Sequence, residues 1–146
     1  RNNIDGFTLE TLETAVDFAH LYGVKVHLAI NILFSDEELQ SAFDTVVKAY
    51  NMGVDAFIVQ DLALAHILHV NYPQIELHAS TQMGIHNLAG AMEAERLGLT
   101  RVVLSREAKL EDIIAIKNNT KLENDTKADY IRRMFLQKTT RRENSR

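Results

Sequence analysis

A parallel α/β fold of the barrel kind is what this sequence predicts, and three observations carry the expectation. Helix-patterned and strand-patterned segments alternate from Thr8 to Asn118. Strand starts near residues 25, 54, 75 and 101 lie 29, 21 and 26 residues apart, room for a helical crossover and far more than a hairpin needs. The strand segments are short and almost continuously apolar, as parallel strands covered on both faces are. Alternating βα units build either a doubly wound sheet or a closed barrel. No Gly-rich phosphate loop follows the first strand, so the barrel is the reading preferred here.

The elements follow in order. Thr8 stands before Leu9, Leu12, Val16, Ala19 and Leu21, apolar positions at helical spacing with a Thr N-cap, and Gly23 closes the helix. Val24 to Asn31 is β-branched and apolar, a strand. Ser35-Asp36-Glu37-Glu38 has the form of a capping box and opens a second helix that ends near Asn51 and Gly53. Val54 to Gln60 is a buried strand, Asp61 to Asn71 a helix, and Pro73 breaks the chain before the strand Ile75 to Ala79. Asn87 to Leu97 is a helix closed by Gly98, Arg101 to Ser105 a fourth strand, and Leu110 to Asn118 its helix. The chain opens on a helix, so a preceding strand is expected to be missing. With four strands visible and roughly 250 residues typical of a complete barrel, about half a barrel is expected.

Composition excludes several functions. The 146 residues are 46% hydrophobic and 25% charged, the profile of one soluble globular domain. No apolar run approaches the roughly 18 residues of a membrane span, and no signal-peptide pattern follows Arg1. The missing initiator Met points to a processed, cloned or fragmentary sequence. With no cysteine, the chain cannot supply a disulfide, a thiolate nucleophile or cysteine ligands to zinc or an iron–sulfur cluster. A cytoplasmic setting and no membrane partner are expected.

The net charge of −4 conceals a split. Residues 1–123 carry 9 Lys and Arg against 17 Asp and Glu, whereas residues 124–146 carry 7 against 3. A domain over 1–123 followed by a basic tail over 124–146 is therefore expected. The tail is either frayed or a short helix through Tyr130, Ile131, Met134 and Phe135.

Ligands of parallel α/β folds bind at the C-terminal ends of the strands. That rule gathers Asn31; Gln60 and Asp61; His78, Ser80, Thr81 and Gln82; and Arg106 and Glu107. Each has a plainer alternative. Asp61 and Glu107 precede helices, where a carboxylate serves as a cap, and Arg106 can pair with a neighbouring acid. Asn31 can cap a loop, and His78 can be a satisfied core histidine, as His27 can. The dense polar run Ser80-Thr81-Gln82 points most directly to a site. No metal site is read: His66 and His69 share a helix without a completing carboxylate, and His20 and His86 look unpartnered. Lys25 lies on the wrong rim for a Schiff base. Ser80, His78 and Asp61 lack the nucleophile elbow of a serine hydrolase.

Val59-Gln60-Asp61-Leu62, Leu77-His78-Ala79-Ser80-Thr81-Gln82-Met83-Gly84-Ile85-His86-Asn87 and Arg101-Val102-Val103-Leu104-Ser105-Arg106-Glu107 together resemble the signatures of the peptidase U32 family. The resemblance spans about residues 1–123, the N-terminal barrel segment. It implies a TIM-like barrel and either collagenase-like protease (hydrolase) activity or RNA modification. The latter is prephenate-dependent hydroxylation of tRNA or rRNA with an iron–sulfur cluster in intact relatives; other relatives act on a quinone precursor. Peptide or RNA would be the substrate. Gln60, Asp61, His78, Ser80, Thr81, Gln82, Arg106 and Glu107 are the matching positions.

From side-chain chemistry, His78, Arg106 and Glu107 are the catalytic candidates. His78 would handle a proton and Arg106 bind an anionic group. Asn31, Gln60, Asp61 and the Ser-Thr-Gln run would hold substrate. Beyond Glu123 the family pattern continues into a strand, a His-Gly-Ala-x-Cys segment and cluster-binding cysteines, none of which is read here. The expected outcome is a fragment inactive alone, without a cofactor of its own. The alternative is a non-catalytic interaction or RNA-binding module that completes its sheet by association through open edges.

Overall fold

A computed structural model describes residues 8–126. Its helices begin where side chains can satisfy the first free N–H groups. Thr8 Oγ1 accepts from Thr11 N at 3.2 Å to start α1 (Leu9–Leu21). Ser35 N donates to Glu38 Oε2 at 2.9 Å in the capping box that starts α2 (Asp36–Asn51). Asp61 caps α3 (Leu62–Asn71), and Asn87 caps α4 (Leu88–Arg96). Lys109 N donates to Asp112 Oδ2 at 3.1 Å ahead of α5 (Leu110–Asn119).

Between the helices run β1 (His27–Ile30), β2 (Ala56–Val59), β3 (Leu77–Ala79), β4 (Arg101–Leu104) and β5 (Glu123–Thr126). They form one parallel sheet in the order β1-β2-β3-β4-β5. The order never reverses. Crossovers of one hand then lay the helices on a single face, as in a barrel, whereas a doubly wound sheet reverses and covers both. The burial pattern agrees. Alternate residues Phe57 and Val59, Leu77 and Ala79, and Val102 and Leu104 join Val16, Val46, Leu64, Leu68, Ala91 and Ile116 of the helices in one core. The intervening residues lie on the other face: His27 and Ala29, Ala56 and Ile58, His78, Arg101 and Val103.

The fifth strand corrects the expectation of four strands. Glu123-Asn124-Asp125-Thr126 has no apolar alternation to announce it. Backbone pairing makes the strand instead: Glu123 N donates to Thr100 O at 3.0 Å, and β5 keeps register with β4 from Arg101↔Glu123 to Leu104↔Thr126. An ion pair between Arg101 and Glu123 joins the two strands at their first residues. The expected helix at residues 130–135 and the segment preceding Thr8 lie outside the described residues.

Candidate functional site

Because all five strands run the same way, their C-terminal ends form one rim. The register Ile30↔Val59 and Val59↔Ala79, carried one residue further, sets Asn31, Gln60 and Ser80 side by side on the face away from the helices. Ser80 N donates to Val59 O at 2.8 Å, so the ladder does extend to this row. Asn31 also lines a groove of about 560 Å³ with Leu28, Ile30, Phe34, Ala42 and Thr45. Thr81 and Gln82 continue from Ser80 in a single 3-10 turn, Thr81–Met83, which ends at Gly84 with φ +76°. Ser80 Oγ, 3% exposed, accepts from Gln82 N at 3.2 Å.

Two of the candidates hold other positions than the rim rule gives them. Asp61, 8% exposed, accepts from Leu64 N at 2.9 Å through Oδ1 and from Phe34 N at 3.2 Å through Oδ2. One carboxylate thus caps α3 and pins the loop between β1 and α2. His78 lies one inner-face position below Ser80 and is 0% exposed. Its Nε2 is 2.8 Å from Glu76 Oε1, and its ring meets His27 edge-on at 5.1 Å between centroids. Burial lowers the His78 pKa, partly offset by Glu76, and burial together with His78 lowers that of His27. Burial pushes Glu76 up most strongly, but the hydrogen bond from His78 together with the charges of His78, Lys25 and His27 holds the carboxyl below its ordinary value. A carboxylate can only accept, so His78 carries its proton on Nε2.

Arg106 and Glu107 are exposed at the end of β4. Glu107 does not cap α5, since Lys109 occupies that position. The Ser105 side chain, then the Glu107 backbone and the charges of His86 and Arg106, hold the Glu107 carboxyl below its ordinary value. Ser105 N donates to Ile85 O at 2.8 Å, so the neighbouring His86, unpartnered in the sequence analysis, stands exposed at this rim too. The sequence reading also passed over Glu76, Arg101 and Glu123, which with His27 and His78 make a polar layer beneath the rim. Alternation along β3 was the available signal, since Glu76, His78 and Ser80 are two residues apart.

An iron–sulfur cluster of the kind the resemblance implies does not fit these residues. The chain has no cysteine, and among the described residues no group of three or more His, Asp or Glu could hold a metal. No described helix is long and apolar enough to cross a membrane.

A singly wound parallel β/α sheet with a polar rim at its strand ends defines a segment of a barrel-type protein. The model of peptidase family U32 matches residues 1–128, and the chain belongs to that family. It is 41% identical over 113 residues to the 23S rRNA 5-hydroxycytidine C2501 synthase of Escherichia coli (strain K12), covering 77% of this chain and 17% of that protein. It is 34% identical over 118 residues to tRNA hydroxylation protein P of the same organism, covering 81% and 26%. The chain thus spans about a sixth to a quarter of these relatives. The solved structure of the U32 peptidase Mk0906 shares the fold with a TM-score of 0.68 at 20% identity, covering 80% of this chain and 51% of that one.

Proposed function

We propose that the chain is the substrate-holding segment of an RNA-hydroxylation enzyme rather than of a peptide hydrolase. The observation that carries this reading is how Ser80 and His78 are engaged. Ser80 Oγ is buried against Gln82 N, and His78 Nε2 is committed to Glu76. A serine hydrolase needs the opposite, an accessible hydroxyl whose proton an imidazole can take. What the rim offers is recognition: amides at Asn31, Gln60 and Gln82, the Thr81 hydroxyl, and the Arg106 guanidinium with Glu107 beside it. Amides and a guanidinium suit base edges and phosphates. The relatives at 41% and 34% identity are an rRNA synthase and a tRNA hydroxylation protein, which supports the same class. In this reading the protein works in the cytoplasm, and the hydroxylation chemistry resides outside this chain.

The test is a chimera in which residues 8–126 replace the matching segment of the E. coli synthase, expressed in a strain lacking that enzyme. Hydroxycytidine at C2501, measured by mass spectrometry of digested rRNA, is expected to return. A folded chimera that leaves C2501 unmodified and cleaves peptides would overturn the reading.

One observation favours a second, non-enzymatic reading. Among the described residues, β1 and β5 each pair on one side only, and open edges recruit strands. The chain would then complete its sheet with a second copy or another protein. Light scattering after size exclusion decides: a monomer at every concentration removes self-pairing.

A further inference from the structure

The imidazole that meets substrate at the rim is, we infer, His86. The inference rests on the RNA reading for its substrate class and on geometry alone for the residue. The loop after β3 folds over the end of β4, where Ser105 N donates to Ile85 O at 2.8 Å. This leaves His86 exposed at the rim, next to the end of β4.

Both ring nitrogens of His86 are assigned by their neighbours. Nδ1 lies 2.9 Å from Gly84 O. A carbonyl only accepts, so Nδ1 carries the proton. On the other side Asn87 Nδ2 is 3.4 Å from Nε2. The orientation of that amide is itself fixed, because Asn87 Oδ1 accepts from Gly90 N at 2.9 Å to cap α4. An amide NH2 only donates, so Nε2 is the acceptor. The neutral ring with a basic, accessible Nε2 satisfies both contacts at once. His78 has the reverse tautomer and no exposure.

The chemistry follows from this arrangement. Nε2 takes a proton from a hydroxyl or ring N–H of a bound nucleotide: the O–H or N–H bond breaks, an N–H bond forms, and the electron pair stays on the substrate.

Long-range proton–nitrogen NMR on the full-length 15N-labelled chain tests the assignment directly. At pH about 7.5, above the ordinary imidazole range, His86 is expected as the Nδ1–H tautomer and His78 as Nε2–H. His86→Gln identifies the resonance and, at an exposed site, leaves the melting temperature unchanged. Finding His86 as Nε2–H overturns the inference.

Titration with a cytidine-containing single-stranded RNA then reads function. The His86 Nε2 resonance is expected to shift on binding, and His86→Gln to weaken binding about fivefold, the loss of one hydrogen bond. If RNA binds and His86 does not respond, this inference falls and the RNA reading stands. If no RNA binds, both fall.

Discussion

Replacing Asp61 by alanine separates a substrate ligand from a structural clamp. The carboxylate accepts two backbone N–H bonds, from Leu64 at 2.9 Å and from Phe34 at 3.2 Å, and is 8% exposed. Loss of an N-cap side chain costs about 1 kcal/mol. The second bond, from a half-buried loop N–H to a charged acceptor, adds about 1 kcal/mol. Asp61→Ala is therefore expected to destabilise the fold by about 2 kcal/mol. Asp61→Asn keeps a good cap for Leu64 but turns an NH2 group or a neutral oxygen toward Phe34, so about 1 kcal/mol is expected. Urea titration followed by circular dichroism measures both. With a slope of about 2 kcal/mol per molar, alanine lowers the midpoint by about 1 M and asparagine by about half that. An alanine midpoint unchanged, with RNA binding lost, would refute the clamp and return Asp61 to the ligand set.

Three further outcomes are expected. Half-buried His27 and buried His78 are both held below the ordinary imidazole pKa of 6.5 chiefly by burial, so the unfolded chain binds more protons as acid is added; stability is full above 6.5 and falls as the pH drops below it, and a melting temperature flat from pH 8 to about 5 would contradict this. Gly98→Ala, at φ +81° with the added Cβ clashing against the His69 ring, is expected to cost about 3 kcal/mol. Gly84→Ala, at φ +76° in open space, is expected to cost only about 1 kcal/mol, so equal melting-temperature losses would refute the packing at Gly98. Ending the chain after Leu122 removes the β4–β5 ladder and the Arg101–Glu123 pair; hydrogen exchange in β4 is expected to accelerate relative to a chain ending at residue 128, and equal protection would show that β5 contributes nothing.

Most of the fold was legible because helix starts are written in local chemistry. Thr8, the Ser35–Glu38 box, Asp61 and Asn87 each cap the helix that the sequence assigns to them. Strand edges were less legible. The apolar run Val24 to Asn31 pairs only over His27–Ile30, since hydrophobicity marks burial, while pairing ends where neighbouring strands end. The strand at Glu123–Thr126 was illegible for the same reason: it is polar and is defined by what β4 offers it.

The site was legible in outline and not in depth. The rule that ligands sit at strand ends collects Asn31, Gln60 and Ser80, and the register makes them neighbours. It carries no information about height along the barrel axis. His78 and His86 flank the same polar run and look alike in sequence, yet one is buried with Nε2 on Glu76 while the other is exposed with Nδ1 on Gly84. The deciding residues are Gly84, which turns the loop after β3, and Ile85, which is held by Ser105 over the end of β4. That contact joins positions 20 residues apart, on the loop after β3 and just past the end of β4, so neither periodicity nor spacing could supply it. A histidine within the strand must lie below its rim, and one carried on the loop beyond it can reach a ligand. For proton transfer that difference decides between two histidines of the same motif.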